Sequence, residues 1–153
     1  SATLDGLGVR RVLLRIGLVL AREGGALGKL ALPFRCFAGG RTGSGRQWMS
    51  WITLDDLVAV IERTLVDDAL RGVLNTVSPT PCRNAEFART IGRVLRRPAW
   101  LPAPAFALRL ALGEMADALL LTSHRVVPER LEQAGFRFAD RELEPALRRL
   151  LRA

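Results

Sequence analysis

Apolar residues run almost unbroken from position 12 to position 20, Val-Leu-Leu-Arg-Ile-Gly-Leu-Val-Leu. A surface strand alternates apolar and polar positions, whereas a strand covered on both faces carries a continuous run of this kind. The pattern predicts a parallel-type strand. Arg15 interrupts it, and an arginine buried there requires a partner or a nearby phosphate. Gly24-Gly25 marks a turn, after which Leu27, Leu30, Ala31 and Phe34 recur at helical spacing, with Pro33 limiting or kinking the helix. A glycine-rich bend over residues 39–45 leads into a predicted strand over residues 47–52. Asp55 and Asp56 follow where a helix N-terminus favours negative charge and a capping side chain. Leu57, Val58, Val60, Ile61 and Leu65 are the expected buried face of that helix. Gly72 closes it, and residues 73–77 read as a second parallel-type strand.

The later part of the chain reads as mostly helical. Ser78-Pro79-Thr80-Pro81 is a loop, and Asn84 is the expected N-cap of a helix reaching about Leu95. Prolines at 98, 102 and 104 bracket an extended connector. Residues 105–121 form a predicted helix that is apolar on most sides, a pattern suited to a deep core or to docking on another surface. Pro128 opens a short helix ended by Gly135, residues 136–138 predict a brief strand, and a last helix starts near Leu143.

Composition narrows the classes. A chain of 153 residues, 49% hydrophobic and 25% charged, has the balance of an ordinary globular domain rather than a disordered one. The net charge of +8 invites a nucleic-acid reading, yet the basic residues are nearly all arginine, spread along the chain and interleaved with acids. No recognition helix, zinc-finger spacing or aromatic RNA-binding motif accompanies them, so a solvated basic surface outranks a nucleic-acid site. No apolar run reaches the roughly 18 residues of a membrane span, and the longest candidate is broken by Arg109, Glu114 and Asp117. With no secretory leader in view, a cytoplasmic location is expected. Cys36 and Cys82 match no metal-ligand spacing and read as a buried pair of thiols in a reducing cytoplasm, and the single His124 cannot build a metal site alone.

Several motifs occur in a fixed order. They are residues 14–20; Gly43-Ser44-Gly45-Arg46-Gln47-Trp48-Met49-Ser50-Trp51-Ile52-Thr53-Leu54-Asp55-Asp56-Leu57; Arg83-Asn84-Ala85-Glu86-Phe87; Leu112-Gly113-Glu114-Met115-Ala116-Asp117; Val126-Val127-Pro128; and Gly135-Phe136-Arg137-Phe138. Together they resemble the C-terminal, substrate-side half of extended short-chain dehydrogenases of the sugar-nucleotide epimerase-like branch. Within it they are most similar to a bacterial subgroup that also carries the label of cell-division inhibitor. The resemblance implies an α/β fold, the C-terminal portion of a Rossmann-like enzyme with a few mostly parallel strands and several helices, its N-terminal dinucleotide-binding half absent. Residues 1–80 would be the end of the sheet with a substrate-side insertion, and residues 81–153 a mostly helical C-terminal domain.

The resemblance also implies hydride chemistry with NADP(H) or NAD(H) in the full-length enzyme. In that family a glycine-rich turn holds the cofactor and a Tyr-x-x-x-Lys pair does the acid/base work. This chain has no tyrosine, and its one lysine, Lys29, has Gly25 four residues earlier. Gly43-Ser44-Gly45 precedes a strand rather than a helix, so it is no phosphate-binding turn. No catalytic residue and no metal site are therefore expected, the chain alone should bind no cofactor, and the missing dinucleotide-binding half is its expected partner. By resemblance Leu18 and Val19 lie beside the cofactor, although both also read as core. Arg46, Gln47, Trp48 and Trp51 are the implied substrate side. Met49 stands where nucleotide-sugar epimerases carry a diphosphate-gripping arginine, and Leu18 replaces a common asparagine. Arg46 either supplies that charge from a neighbouring position or is a solvated loop residue. Trp48 and Trp51, three apart on a strand, point to opposite faces, one to core and one to the cleft. A stand-alone interaction domain using the helix over 105–121 and an open strand edge is the second reading; a basic nucleic-acid binder is the third.

Overall fold

In the computed structural model, which describes residues 9–101 and 123–152, the run over 12–20 is two strands rather than one. β1 (Val12–Ile16) and β2 (Leu18–Leu20) meet at Gly17 and change partner there. β1 pairs in parallel with β5 (Gly72–Thr76), from Val12 opposite Gly72 to Ile16 opposite Thr76. β2 pairs in parallel with β4 (Trp51–Thr53), from Leu18 opposite Trp51 to Leu20 opposite Thr53. The Gly17 amide donates to the Thr76 carbonyl at 3.2 Å and the Leu18 amide to the Ser50 carbonyl at 2.8 Å. The ladder thus passes from one partner to the next without an orphaned donor. A Cβ on Gly17 would stand 2.4 Å from the Ser50 oxygen and 2.7 Å from Val77 Cγ1, so the crossing needs glycine.

The predicted strand over 47–52 divides in the same way, at Ser50. β3 (Trp48–Met49) pairs antiparallel with β6 (Cys82–Arg83), Trp48 facing Arg83, while β4 joins β2. Among the described residues five helices accompany the strands: α1 (Gly25–Arg35, with Pro33 inside), α2 (Leu54–Val66), α3 (Asn84–Leu95), α4 (Glu129–Gln133) and α5 (Leu143–Arg152). The mostly parallel α/β architecture is the expected one. The apolar helix expected over 105–121 lies outside the described residues.

Alternation along β2 and β4 separates two cores on opposite faces of these strands. Leu18, Leu20 and Trp51 pack with α1, α3 and α5 through Leu27, Phe34, Phe87, Ile91 and Leu147. Ile52 packs on the other face with Leu57, Val60, Leu74, Leu131 and Phe138, and Val19 lies against that cluster. The first core draws on residues from both sides of position 80.

Local expectations shift in four places. The α2 cap is Thr53, whose hydroxyl accepts from the Asp56 amide, not either aspartate. Asp56 is buried instead, accepting from the Ala139 amide at 2.8 Å and the Asp140 amide at 3.0 Å, and so fastens the C-terminal segment to α2. Asp55 stays exposed and pairs with Arg149, whose pKa is raised by its bonds to Asp140 and Asp55. At α3 the cap position falls to Arg83. Asn84 is already helical, and its buried amide accepts from the Thr42 amide at 2.7 Å, tying down the glycine-rich bend. Residues 136–138 form no strand, because the Phe136 amide is spent on the Leu131 carbonyl at the end of α4; Phe136 and Phe138 meet edge to face at 4.8 Å.

The last correction concerns coverage. Leu13 and Ile16 on β1 are 54% and 50% exposed, so this strand is not covered on both faces among the described residues. Of the expected buried face of α2 only Leu57 and Val60 are inside; Leu54, Val58, Ile61 and Leu65 form an exposed stripe at helical spacing. No helix among the described residues is long and apolar enough to cross a membrane.

Candidate substrate cleft

The partner switch at Gly17 leaves a cleft of about 580 Å³ beyond the carboxyl ends of β1 and β5. Open parallel sheets bind ligands in this position, where strands part and their loops diverge. Arg15, Gly17 and Leu18 line one wall together with Asn75 and Val77, Trp48 and Ser50 line a second, and residues 124–127 with Glu129 close a third.

The third wall is strapped on by two polar side chains. Ser50 Oγ accepts from the Val126 amide at 3.0 Å and lies 2.9 Å from the His124 carbonyl and 3.3 Å from the Val126 carbonyl. Its single proton serves one of those carbonyls at a time. Asn75 Nδ2 donates to the Val127 carbonyl at 3.3 Å, and the Trp48 amide donates to Ser123 Oγ at 3.1 Å. These bonds fix the strap's backbone and leave the Arg125 side chain to the cleft.

Trp48 is the aromatic element of the site. The Arg83 guanidinium carbon lies 3.9 Å from its ring centroid and that of Arg125 5.1 Å away, both within cation–π range. Arg83 is itself held by donating to the Arg46 carbonyl. Among the described residues neither Arg15 nor Arg125 has a carboxylate partner, although Glu129 lines the same cleft and accepts from Gln133 at 3.3 Å.

Of the residues picked from the sequence, Leu18 and Trp48 reach this cleft. Val19 does not, because alternation turns it to the opposite face. Trp51 is fully buried in the first core, with its indole N–H donating to the Thr80 carbonyl at 3.0 Å. Arg46 and Gln47 border a separate depression beside Ser123; the buried Gln47 amide donates to the Thr42 carbonyl at 2.9 Å, while Arg46 is exposed. Arg15, Ser50, Asn75, Arg83 and Arg125 went unchosen as site residues. Only Arg15, a lone charge in an apolar run, left a visible trace in the sequence. No group of three metal-ligating side chains occurs among the described residues. Burial, reinforced by Glu86, pushes the Cys82 thiol up to about 12, which makes it inert, whereas Cys36, expected to be buried as well, is exposed just past the end of α1.

Known proteins resemble the chain in sequence and in fold. A family model described as "Domain of unknown function (DUF1731)" matches residues 103–150. The Arabidopsis thaliana protein "Epimerase family protein SDR39U1 homolog, chloroplastic" is 45% identical over 143 residues, which are 94% of this chain and 41% of that protein. The crystal structure of human epimerase family protein SDR39U1 with NADPH superimposes with a TM-score of 0.86 at 38% identity, covering 94% of this chain and 48% of the human one. A nucleoside-diphosphate sugar epimerase from Corynebacterium glutamicum gives a TM-score of 0.70 at 30% identity, covering 92% of this chain and 26% of its own. The chain spans about half the length of the curated relatives it matches. It belongs to the epimerase-like family of extended short-chain dehydrogenases, as the C-terminal half of that fold.

Proposed function

We propose that this chain forms the substrate-binding part of an NADP(H)-dependent epimerase or reductase, completed by a dinucleotide-binding half that docks on it. The observation that carries the reading is the cleft at the carboxyl ends of β1 and β5 beside an apolar face left open by β1 and α2. Among the described residues β1 pairs only with β5, so its other edge offers backbone donors and acceptors to a further parallel strand. The stripe of Leu54, Val58, Ile61 and Leu65 on α2 gives that neighbour a helix-packing surface.

The cofactor would supply the hydride, exchanged with a carbinol or ketone carbon of the substrate. Gly17, Leu18 and Val77 make an apolar floor suited to a nicotinamide ring. Among the described residues no glycine-rich turn opening a helix borders the cleft, which supports a phosphate site on the partner half. With no tyrosine in this chain, the reading assigns the Tyr-x-x-x-Lys pair to that half as well. This chain's task is to bind and orient substrate and to keep water from the reacting carbon. A reducing compartment such as the cytoplasm suits the exposed Cys36 thiol.

Docking is tested by co-purifying the chain with the dinucleotide-binding half of the Arabidopsis relative. Ile61→Glu and Leu65→Glu change exposed side chains, so both variants should fold normally and lose the partner. Retained binding by both would remove the α2 stripe from the account. The same open face also favours the second reading, a stand-alone interaction domain; capture of the dinucleotide-binding half without any gain of NADPH binding would select it.

A further inference from the structure

We infer that the cleft recognises an organic anion, a carboxylate or phosphate held between Arg15 and Arg125 with the indole of Trp48 as its platform. The inference rests on reading the cleft as the substrate site and names the class of substrate that site takes.

Arg15 and Arg125 come from separate elements, β1 and the strap, yet line one cleft, and neither has a carboxylate partner among the described residues. A guanidinium presents a planar fork of donors matched to the paired oxygens of a carboxylate or phosphate. Low-dielectric walls concentrate the field of the two cations over the cleft. Glu129 offsets one charge, so an anion still gains where a neutral ligand gains nothing.

The strap and the indole place those cations. Ser50 holds the strap through the Val126 amide and one of the His124 and Val126 carbonyls at a time, and Asn75 through the Val127 carbonyl, which fixes the backbone that carries Arg125. Arg83, anchored on the Arg46 carbonyl, stacks on Trp48 at 3.9 Å and fixes the ring that Arg125 approaches at 5.1 Å. A planar acid can lie against that ring while its charged end meets the two guanidiniums.

The test uses the intact chain and its tryptophan fluorescence. Inorganic pyrophosphate, benzoate and neutral benzamide are titrated separately at low ionic strength and again in 0.5 M salt. Saturation by at least one anion, none by benzamide, and weakening in salt are expected. Pyrophosphate alone would point to a phosphate ester as the natural substrate, and benzoate alone to a carboxylic acid. Arg15→Ala and Arg125→Ala should each weaken binding about tenfold, while Arg63→Ala, in a helix-surface pair, should not. All three side chains are exposed, and melting curves confirm that the variants are folded. Failure of both anions to bind, or wild-type binding by both cleft variants, overturns the inference. If anions fail while the docked pair binds NADPH, the inference falls and the proposed function stands. If anions bind but no docked pair forms, the proposed function falls and the anion site stands.

Discussion

Gly17→Ala tests the idea that the strand exchange builds the cleft. The new methyl would sit 2.4 Å from the Ser50 carbonyl oxygen and 2.7 Å from Val77 Cγ1, and the first of these is backbone that cannot rotate away. The two chains must move apart, which strains the Gly17-to-Thr76 and Leu18-to-Ser50 hydrogen bonds. Those bonds contribute about 1 kcal/mol each, and overpacking costs about 1–3 kcal/mol. The smaller entropy of the unfolded alanine chain returns about 0.4–1 kcal/mol. The net loss should be about 2–4 kcal/mol. With an m-value of about 2 kcal/mol/M, the urea midpoint should fall by about 1–2 M with m unchanged. Because Ser50 also holds the strap, amide exchange at Val126 should accelerate beyond what the global loss explains. A variant as stable as the wild type would refute the close approach at Gly17 and the strand exchange derived from it.

Two further variants and a pH series probe the rest of the frame. Asp56→Ala leaves the Ala139 and Asp140 amides without their acceptor and should cost about 3 kcal/mol, a fall in melting temperature of about 6–12 °C; a loss under 0.5 kcal/mol would show that the C-terminal segment is held by other means. Asn84→Ala should lower stability through the Thr42 contact and loosen the bend at 39–45, visible as faster amide exchange there, whereas unchanged exchange would make Asn84 dispensable. Cys82 keeps its proton to about 12 in the folded chain and loses it near 9 when unfolded, so the folded state binds more protons between those values. Its contribution therefore holds below pH 9 and declines as pH rises from 9 towards 12. A thiol reagent at pH 8 should modify Cys36 and spare Cys82, and equal rates would contradict the burial.

Element type was legible wherever periodicity was strong. The spacing of Leu27, Ala31 and Phe34 located α1, and the branched residues at 12–20 and 73–77 located parallel strands. The sequence could not show that Gly17 and Ser50 each divide a strand, because both halves of each run keep the same apolar composition and only the pairing partner changes. Coverage misled for a related reason. Leu13, Val58, Ile61 and Leu65 have the composition of buried positions, yet they face outward among the described residues, on the surface that the proposed docking would cover. The site was half legible. Trp48 and Leu18, expected from the resemblance, line the candidate cleft, whereas Arg83 and Arg125 reach the indole only through β6 and the strap, whose placement no local pattern encodes.

The division of labour between the two halves is tested most directly by titrating NADPH while following energy transfer from tryptophan, first into this chain alone and then into the chain paired with the dinucleotide-binding half of the Arabidopsis relative. The account predicts no saturable transfer from the chain alone and saturable transfer from the pair, reduced in Trp48→Phe. Saturable binding by the chain alone, or none by a pair shown to be associated, would contradict it.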